Sequence, residues 1–91
     1  MTKSELIDEV SRRSGLQKKD VAKVLDMSVL VTSETLATGG QINYSGFGKF
    51  HVVSRRARRG VNPRTGEPIE IAASRVPRFT PGSALKRTVN G

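Results

Sequence analysis

Six cations and no carboxylate lie between Lys49 and Arg64: Lys49, Arg55, Arg56, Arg58, Arg59 and Arg64. The planar guanidinium fork of arginine reaches two phosphate oxygens at once, or enters a narrow groove of strong negative potential. Two or three charges would keep an exposed strand edge from pairing with another chain. Four arginines between positions 55 and 59 repel one another, and a polyanionic ligand is the simplest compensation. Other chemistry fails early. His51 is the only histidine and cysteine is absent, so neither a zinc site nor a Cys/His or Ser/His nucleophile can be assembled. Gly46-x-Gly48 lacks the third glycine and following helix of a dinucleotide loop. Asp8, Glu9, Asp20, Asp26 and Glu34 sit among lysines and arginines, where surface ion pairs are expected. The reading is a binding protein without cofactor or metal, not an enzyme.

The segments around these cations suggest how they are held. Phe50-His51-Val52-Val53-Ser54 before the run and Ile69-Glu70-Ile71 after it alternate with the period of strands. Asn62-Pro63-Arg64-Thr65-Gly66 supplies turn chemistry between them, since proline presets φ and glycine accepts positive φ. The expected object is a basic two-stranded β-ribbon with a proline near its tip. Such a ribbon can enter a DNA groove, and there Pro63 is either a turn former or an apolar wedge between base steps. Phe50 and Val52 should face the core, leaving Lys49, His51, Val53 and Arg55 opposite. Keeping Arg55 and Arg58 on one side then calls for a bulge.

The first 40 residues read as two helices. Thr2-x-x-Glu5 is a capping box, Leu6, Ile7 and Val10 mark one face, and Gly15 is a left-handed stop. A second helix runs from near Lys18 to about Thr38, ahead of Gly39-Gly40. Its apolar stripe (Val21, Val24, Leu25, Ser28, Val29, Thr32, Leu36) is broader than one small sheet can cover. That breadth fits either a well-buried core helix or a dimer interface. Ninety-one residues with a projecting arm leave a small core, which favours the dimer. Gln41–Ser45 reads as a strand and Gly46-Phe47-Gly48 as a tight turn. Val76 and Phe79 are expected to rejoin the core, with Pro77 at an edge or bend. After Pro81-Gly82 a short helix buries Ala84, Leu85, Thr88 and Val89. The order is that of an α+β domain: a helical hairpin, a three-stranded antiparallel sheet with a long ribbon arm, and a short C-terminal helix.

Charge divides the chain. Residues 1–40 hold six Lys/Arg against six Asp/Glu, whereas residues 41–91 hold ten against two, so the second part carries the whole net charge of +8. No apolar run approaches the ~20 residues of a membrane helix, and the first residues lack a signal peptide's apolar core. A cytosolic protein is expected.

Gly46-Phe47-Gly48-Lys49-Phe50, Arg55, Arg58, Gly60 and Asn62-Pro63-Arg64-Thr65-Gly66 together resemble the bacterial HU/integration host factor family. The resemblance continues through Ile69, Ile71, Ala73, Val76-Pro77 and Phe79-Thr80-Pro81-Gly82 to Leu85-Lys86. It reaches back to Lys3, Leu6, Ile7, Ser14-Gly15-Leu16 and Lys18-Lys19-Asp20, and is closest to HU. It implies a single domain over 1–91: a helical dimerisation body (1–40), a sheet and DNA-binding arm (41–80, the arm about 55–74) and a C-terminal helix (82–90).

The same resemblance implies an intertwined dimer, either a homodimer or a heterodimer with a paralogue, with Val21, Leu25, Val29, Leu36, Phe47 and Phe50 in the interface. The ligand it implies is duplex DNA, with bent, nicked or gapped forms preferred, in the nucleoid of the cytoplasm and without a membrane partner. Arg55, Arg58, Asn62, Pro63, Arg64, Arg75, Arg78, Lys3 and Lys86 are the residues it points to for DNA, with Pro63 intercalating. Val53 and Val61 depart from the family, where basic residues are usual. The rival readings are a site-specific bender like integration host factor, and an RNA- or anionic-membrane-binding module. The arm holds no aromatic platform for single-stranded RNA.

Overall fold

The computed structural model describes residues 1–91. Its elements in chain order are α1 (Lys3–Ser14), α2 (Lys18–Ala37), β1 (Ile42–Tyr44), β2 (Gly48–Arg55), β3 (Arg58–Val61), β4 (Pro68–Ile71), β5 (Ser74–Pro81) and α3 (Ser83–Asn90). Strands β1-β2-β5 form a three-stranded antiparallel sheet, and β3-β4 form a two-stranded antiparallel ribbon. The chain divides into two compact units, Met1–Glu34 and Thr35–Gly91.

In the first unit, α1 begins with the expected capping box: the Glu5 amide donates to Thr2 Oγ1 at 3.2 Å, and the Thr2 amide donates to Glu5 Oε1 at 3.3 Å. It ends on Gly15, whose amide donates to the Ser11 carbonyl and whose φ of 76° turns the chain out of the helix. A Cβ there would be strained, which is why glycine occupies the stop. Helix α2 places Val21 at 3% exposure, the single buried apolar side chain of the whole protein. Leu25, Ser28, Thr32 and Leu36 follow it as half-covered positions. Val24, Val29 and Leu30 stay open at 59%, 66% and 47%, and Met27 is exposed with them. The broad stripe is therefore divided: within one chain, one strip of α2 is covered and another is bare.

In the second unit, an aromatic cluster anchors the sheet. Phe79 lies 4.8 Å from Phe50 and 5.3 Å from Phe47 between ring centroids, and Tyr44 meets Phe47 edge-on at 6.2 Å. The turn before β2 closes with the Phe47 amide on the Tyr44 carbonyl, and Gly46 there has a φ of 82°. Gly48 has no room for a side chain, because a Cβ would lie 2.5 Å from the Phe79 ring and 2.7 Å from the Thr80 carbonyl oxygen. The Gly82 amide, at the start of α3, donates to the Phe47 carbonyl at 2.8 Å, tying the last helix to this turn.

Three local expectations are corrected. Val76 pairs with Val53 and Phe79 pairs with Phe50, so alternation puts Val76 and Phe79 on opposite faces of β5 and only Phe79 joins the aromatic cluster. In α3, Ala84 and Leu85 are half-buried, whereas Thr88 is exposed and Val89 is 76% exposed. No residue is inserted where a bulge was expected. The ladder stops after Arg55↔Ser74 and resumes at Arg58↔Ile71, so two residues drop out of each strand and the register is preserved. A symmetric interruption leaves the ribbon free to twist there without shifting its partners.

The accessible surface totals 7567 Å², whereas a compact monomer of 9.9 kDa exposes about 5,200 Å². A single chain thus falls well short of the burial that stabilises an isolated domain.

Candidate nucleic-acid interface

Register decides which cations share a face. In β2 and β5, Lys49 lies opposite Thr80, His51 opposite Arg78, Val53 opposite Val76 and Arg55 opposite Ser74. Directly opposed residues of an antiparallel pair point to the same side, so these eight residues form one face. Asn43, opposite Lys49 in β1, completes it. It carries Lys49, Arg55 and Arg78 and no carboxylate. The other face carries Ile42, Tyr44, Phe50, Val52, Pro77 and Phe79.

Arg75 lies on that second face, opposite Ser54. Its Nη2 donates at 3.2 Å to the Leu36 carbonyl, which also accepts from the Gly39 amide at 3.0 Å, in the last turn of α2, where the dipole favours a cation. Arg75 and Arg78, three residues apart, therefore do different things in this geometry. Arg78 joins the cationic face and Arg75 caps a helix.

The ribbon is also two-faced. Arg58 and Gly60 lie opposite Ile71 and Ile69, whereas Arg59 and Val61 lie opposite Glu70 and Pro68. One side thus presents an arginine over an apolar floor; the other places its arginine across from a carboxylate. Gly60 makes the floor possible, since a Cβ there would come within 3.0 Å of Ile71 Cδ1. A cleft at the interruption of the ladder is lined by Ala57, Arg58, Arg59, Glu70, Ile71 and Ala72.

At the tip, the Asn62 amide donates to the Glu67 carbonyl at 2.8 Å and the Gly66 amide donates to the Asn62 carbonyl at 2.7 Å. Asn62 Oδ1 accepts from the Arg64 amide at 2.9 Å, an Asx turn that holds the loop from its first residue. Gly66 takes a φ of 74°, which closes the four-residue loop. Pro63 and Arg64 are left exposed at its apex, while Asn62 faces inward as the loop's clasp.

Ion pairing separates the cations sharply. All four salt bridges, Lys3–Asp26, Lys18–Asp8, Arg12–Glu9 and Arg13–Glu9, join residues of α1 and α2. Hydrogen bonds from Arg12 and then Arg13 hold the Glu9 carboxyl below its ordinary range. None of the ten cations from Lys49 to Arg87 has a carboxylate within 4.0 Å. Lys86 belongs to this unpaired set, whereas Lys3 is paired with Asp26. Lys49 and Thr80 complete the cationic face and were not among the expected site residues. Strand alternation already put Lys49 beside Arg55, but Thr80 becomes visible only once β5 is registered against β2.

Residues 1–90 match the family model described as bacterial DNA-binding protein. DNA-binding protein HU of Thermotoga maritima is 48% identical over 89 residues, covering 98% of this chain and 99% of that one. DNA-binding protein HU 1 of Bacillus subtilis is 50% identical over 91 residues, covering 100% and 99%. Among solved structures, an Anabaena HU–DNA cocrystal structure superposes with a TM-score of 0.88 at 37% identity, covering 98% of this chain and 97% of that chain.

Proposed function

The chain belongs to the family of bacterial DNA-binding proteins, and on that premise we propose that it is a dimeric architectural protein that bends and compacts duplex DNA with little regard to sequence. The observation that carries this reading is the ion-pair census: every cation of the sheet and arm is left without a carboxylate, and three of them share one face of the sheet. Phosphates are the natural partners of such a surface, and counterion release would supply most of the affinity. Arg55, Arg58, Arg64 and Arg78 engage the backbone or the minor groove, Lys86 holds flanking phosphates, and Lys3 joins them beside Asp26. Arg75 serves the fold instead. Asn62 acts by shaping the tip, which aims Pro63 outward.

Pro63 is the wedge. HU and integration host factor are known minor-groove benders, and proteins of that kind kink the duplex by roughly 20–90° by inserting apolar side chains between base steps. The exposed apex position of Pro63 suits that role, with the Arg64 charge beside it. Val61 lies on the Arg59 side of the ribbon, away from Arg58, so its missing charge takes nothing from the Arg58 face.

Dimerisation completes the fold. The bare strip of α2 (Val24, Met27, Val29 and Leu30) and the half-open Phe47 require cover that one chain does not provide. A second copy supplies it through Leu25, Val29, Leu36, Phe47 and Phe50, while Val21, already buried within one chain, supports that surface from beneath. No helix is long and apolar enough to cross a membrane, and the proposed place of action is the nucleoid, in the cytoplasm.

The test measures bend angle and affinity together on one doubly labelled duplex. Pro63→Ala keeps most of the affinity, because the ring carries no charge, yet bends the duplex less. Its preference for nicked or gapped DNA also shrinks, since unstacking costs a few kcal/mol per step and those substrates are already partly unstacked. An unchanged bend angle would reduce Pro63 to a turn residue. Preference for RNA or for anionic vesicles over duplex in competition would replace the proposal altogether.

A further inference from the structure

One cluster on the cationic face holds the chain's only histidine. His51 Nε2 lies 2.8 Å from Thr80 Oγ1. His51 is opposite Arg78, and Thr80 is opposite Lys49. The four side chains form a two-by-two block on adjacent strands, about 5 Å across the ladder and about 7 Å along it. One phosphate group can touch such a block at several points. The charged groups facing His51 are Lys49 and Arg55 from its own strand and Arg78 from β5; β1 contributes only the neutral Asn43. No carboxylate shares the face. His51 itself is half-buried, so its ring orientation is partly set by packing.

We propose that His51 and Thr80, flanked by Lys49 and Arg78, form a phosphate-binding site that is switched on by protonation of the imidazole. The inference rests on the duplex-binding function proposed above and adds a proton to it. Its chemistry follows from the inventory of donors. With a neutral imidazole whose Nε2 accepts, the Thr80 hydroxyl is consumed as the donor. In the imidazolium both ring nitrogens are donors. Nε2–H then donates to Thr80 Oγ1, and the hydroxyl proton turns outward. Protonation thus adds a positive charge and releases a hydroxyl donor in one step, both on the surface that meets DNA. In the free protein that charge adds to an uncompensated cationic face; a bound phosphate compensates it. Binding and protonation therefore favour each other by linkage.

Histidine side chains change charge between pH 5 and 8, which sets the range of the experiment. Affinity for a random-sequence duplex is measured at constant ionic strength from pH 5.5 to 8 for the parent protein, His51→Gln and Thr80→Val. Titration calorimetry in two buffers of different ionisation enthalpy counts the protons taken up. The parent's affinity is expected to fall by about tenfold between pH 6 and pH 8, with net proton uptake on binding. His51→Gln flattens the pH profile and abolishes the uptake. Thr80→Val keeps the uptake and shows a smaller rise in affinity at low pH, because the charge remains and the released donor is gone. A parent profile that is flat, or one that persists in His51→Gln, overturns the site while leaving duplex binding intact. Failure of the folded parent to bind duplex at any pH overturns the underlying function as well.

Discussion

The helical unit and the sheet-and-arm unit carry similar residue types and use them in opposite ways. In residues 1–34 charges balance, and Lys3, Arg12, Arg13 and Lys18 are each matched to a carboxylate. Lys19 and Lys23 have no such partner, but what sets this unit apart is the apolar surface it leaves open: Val24, Met27, Val29 and Leu30. In residues 35–91 the aromatic rings find one another, although Phe47 stays half-open, and every cation is left without a carboxylate. Each unit therefore advertises its partner by the kind of group it fails to pair. Unpaired apolar surface asks for protein, and unpaired positive charge asks for a polyanion.

The largest expected effect comes from attacking the apolar half of that contrast. Val29 is two-thirds exposed in the single chain, and substitution of a surface residue normally changes stability by less than about 0.5 kcal/mol. If a second chain covers it, Val29→Asp buries an unpaired carboxylate, and such charges cost several kcal/mol. Circular dichroism and sedimentation should then find a protein that does not fold at micromolar concentration. A folded, concentration-independent monomer of the parent would break the comparison. Leu25→Asp should behave the same way, with less power to discriminate because Leu25 is half-covered already.

The cationic half can be sharpened within the arm. Arg58 lies over the isoleucine floor and Arg59 lies across from Glu70. Each phosphate contact contributes about 0.9 to the slope of log affinity against log salt. Arg58→Ala should flatten that slope by about one to two units per dimer, nearly alike for all sequences, while Arg59→Ala should flatten it less. Equal losses would mean that the two faces of the ribbon are not distinguished by the ligand.

A smaller effect tests the exception. Arg75 is a cation of the second unit used as a structural group, and removing its bond to the Leu36 carbonyl should cost about 0.5–1.5 kcal/mol. Arg75→Ala should lower the thermal midpoint and leave the salt slope unchanged. A flattened slope at unaltered stability would return Arg75 to the interface. The smallest effect belongs to Glu9, whose exposed carboxylate is held below its ordinary value of 4.5 chiefly by Arg12. That arrangement stabilises the fold above about pH 4.5, and the contribution is lost as pH falls through the lowered value. Glu9→Gln should thus melt slightly below the parent at pH 7 and converge with it in acid.

Much of this molecule is legible one segment at a time. The capping box at Thr2 and Glu5, the stop at Gly15 and the loop at Asn62–Gly66 depend on neighbours within five residues, and each takes its expected form. Family resemblance adds the architecture. Arg75, Val76 and the bulge are different, because which way those side chains point depends on the register of β5 against β2. Strands separated by 18 intervening residues set that register, and alternation within one strand cannot reveal it. The bare strip of α2 is a third kind of case. Its apolar residues are plain in the sequence, but the division into a covered and an uncovered part appears only when one chain is folded by itself.

The interruption of the ladder at 56–57 and 72–73 has a consequence for the length of the arm. Because register is the same on both sides of it, an arm that lengthens without a bulge grows in cross-strand pairs. One extra pair advances the tip by about 3.4 Å and turns the far residues over; two pairs advance it by about 6.8 Å and restore them. Successive bases along a DNA strand are separated by about 3.4 Å. The arm is in this sense a ruler with divisions commensurate with its ligand, and homologues with paired insertions beyond Arg58 should place their kinks farther apart in discrete steps.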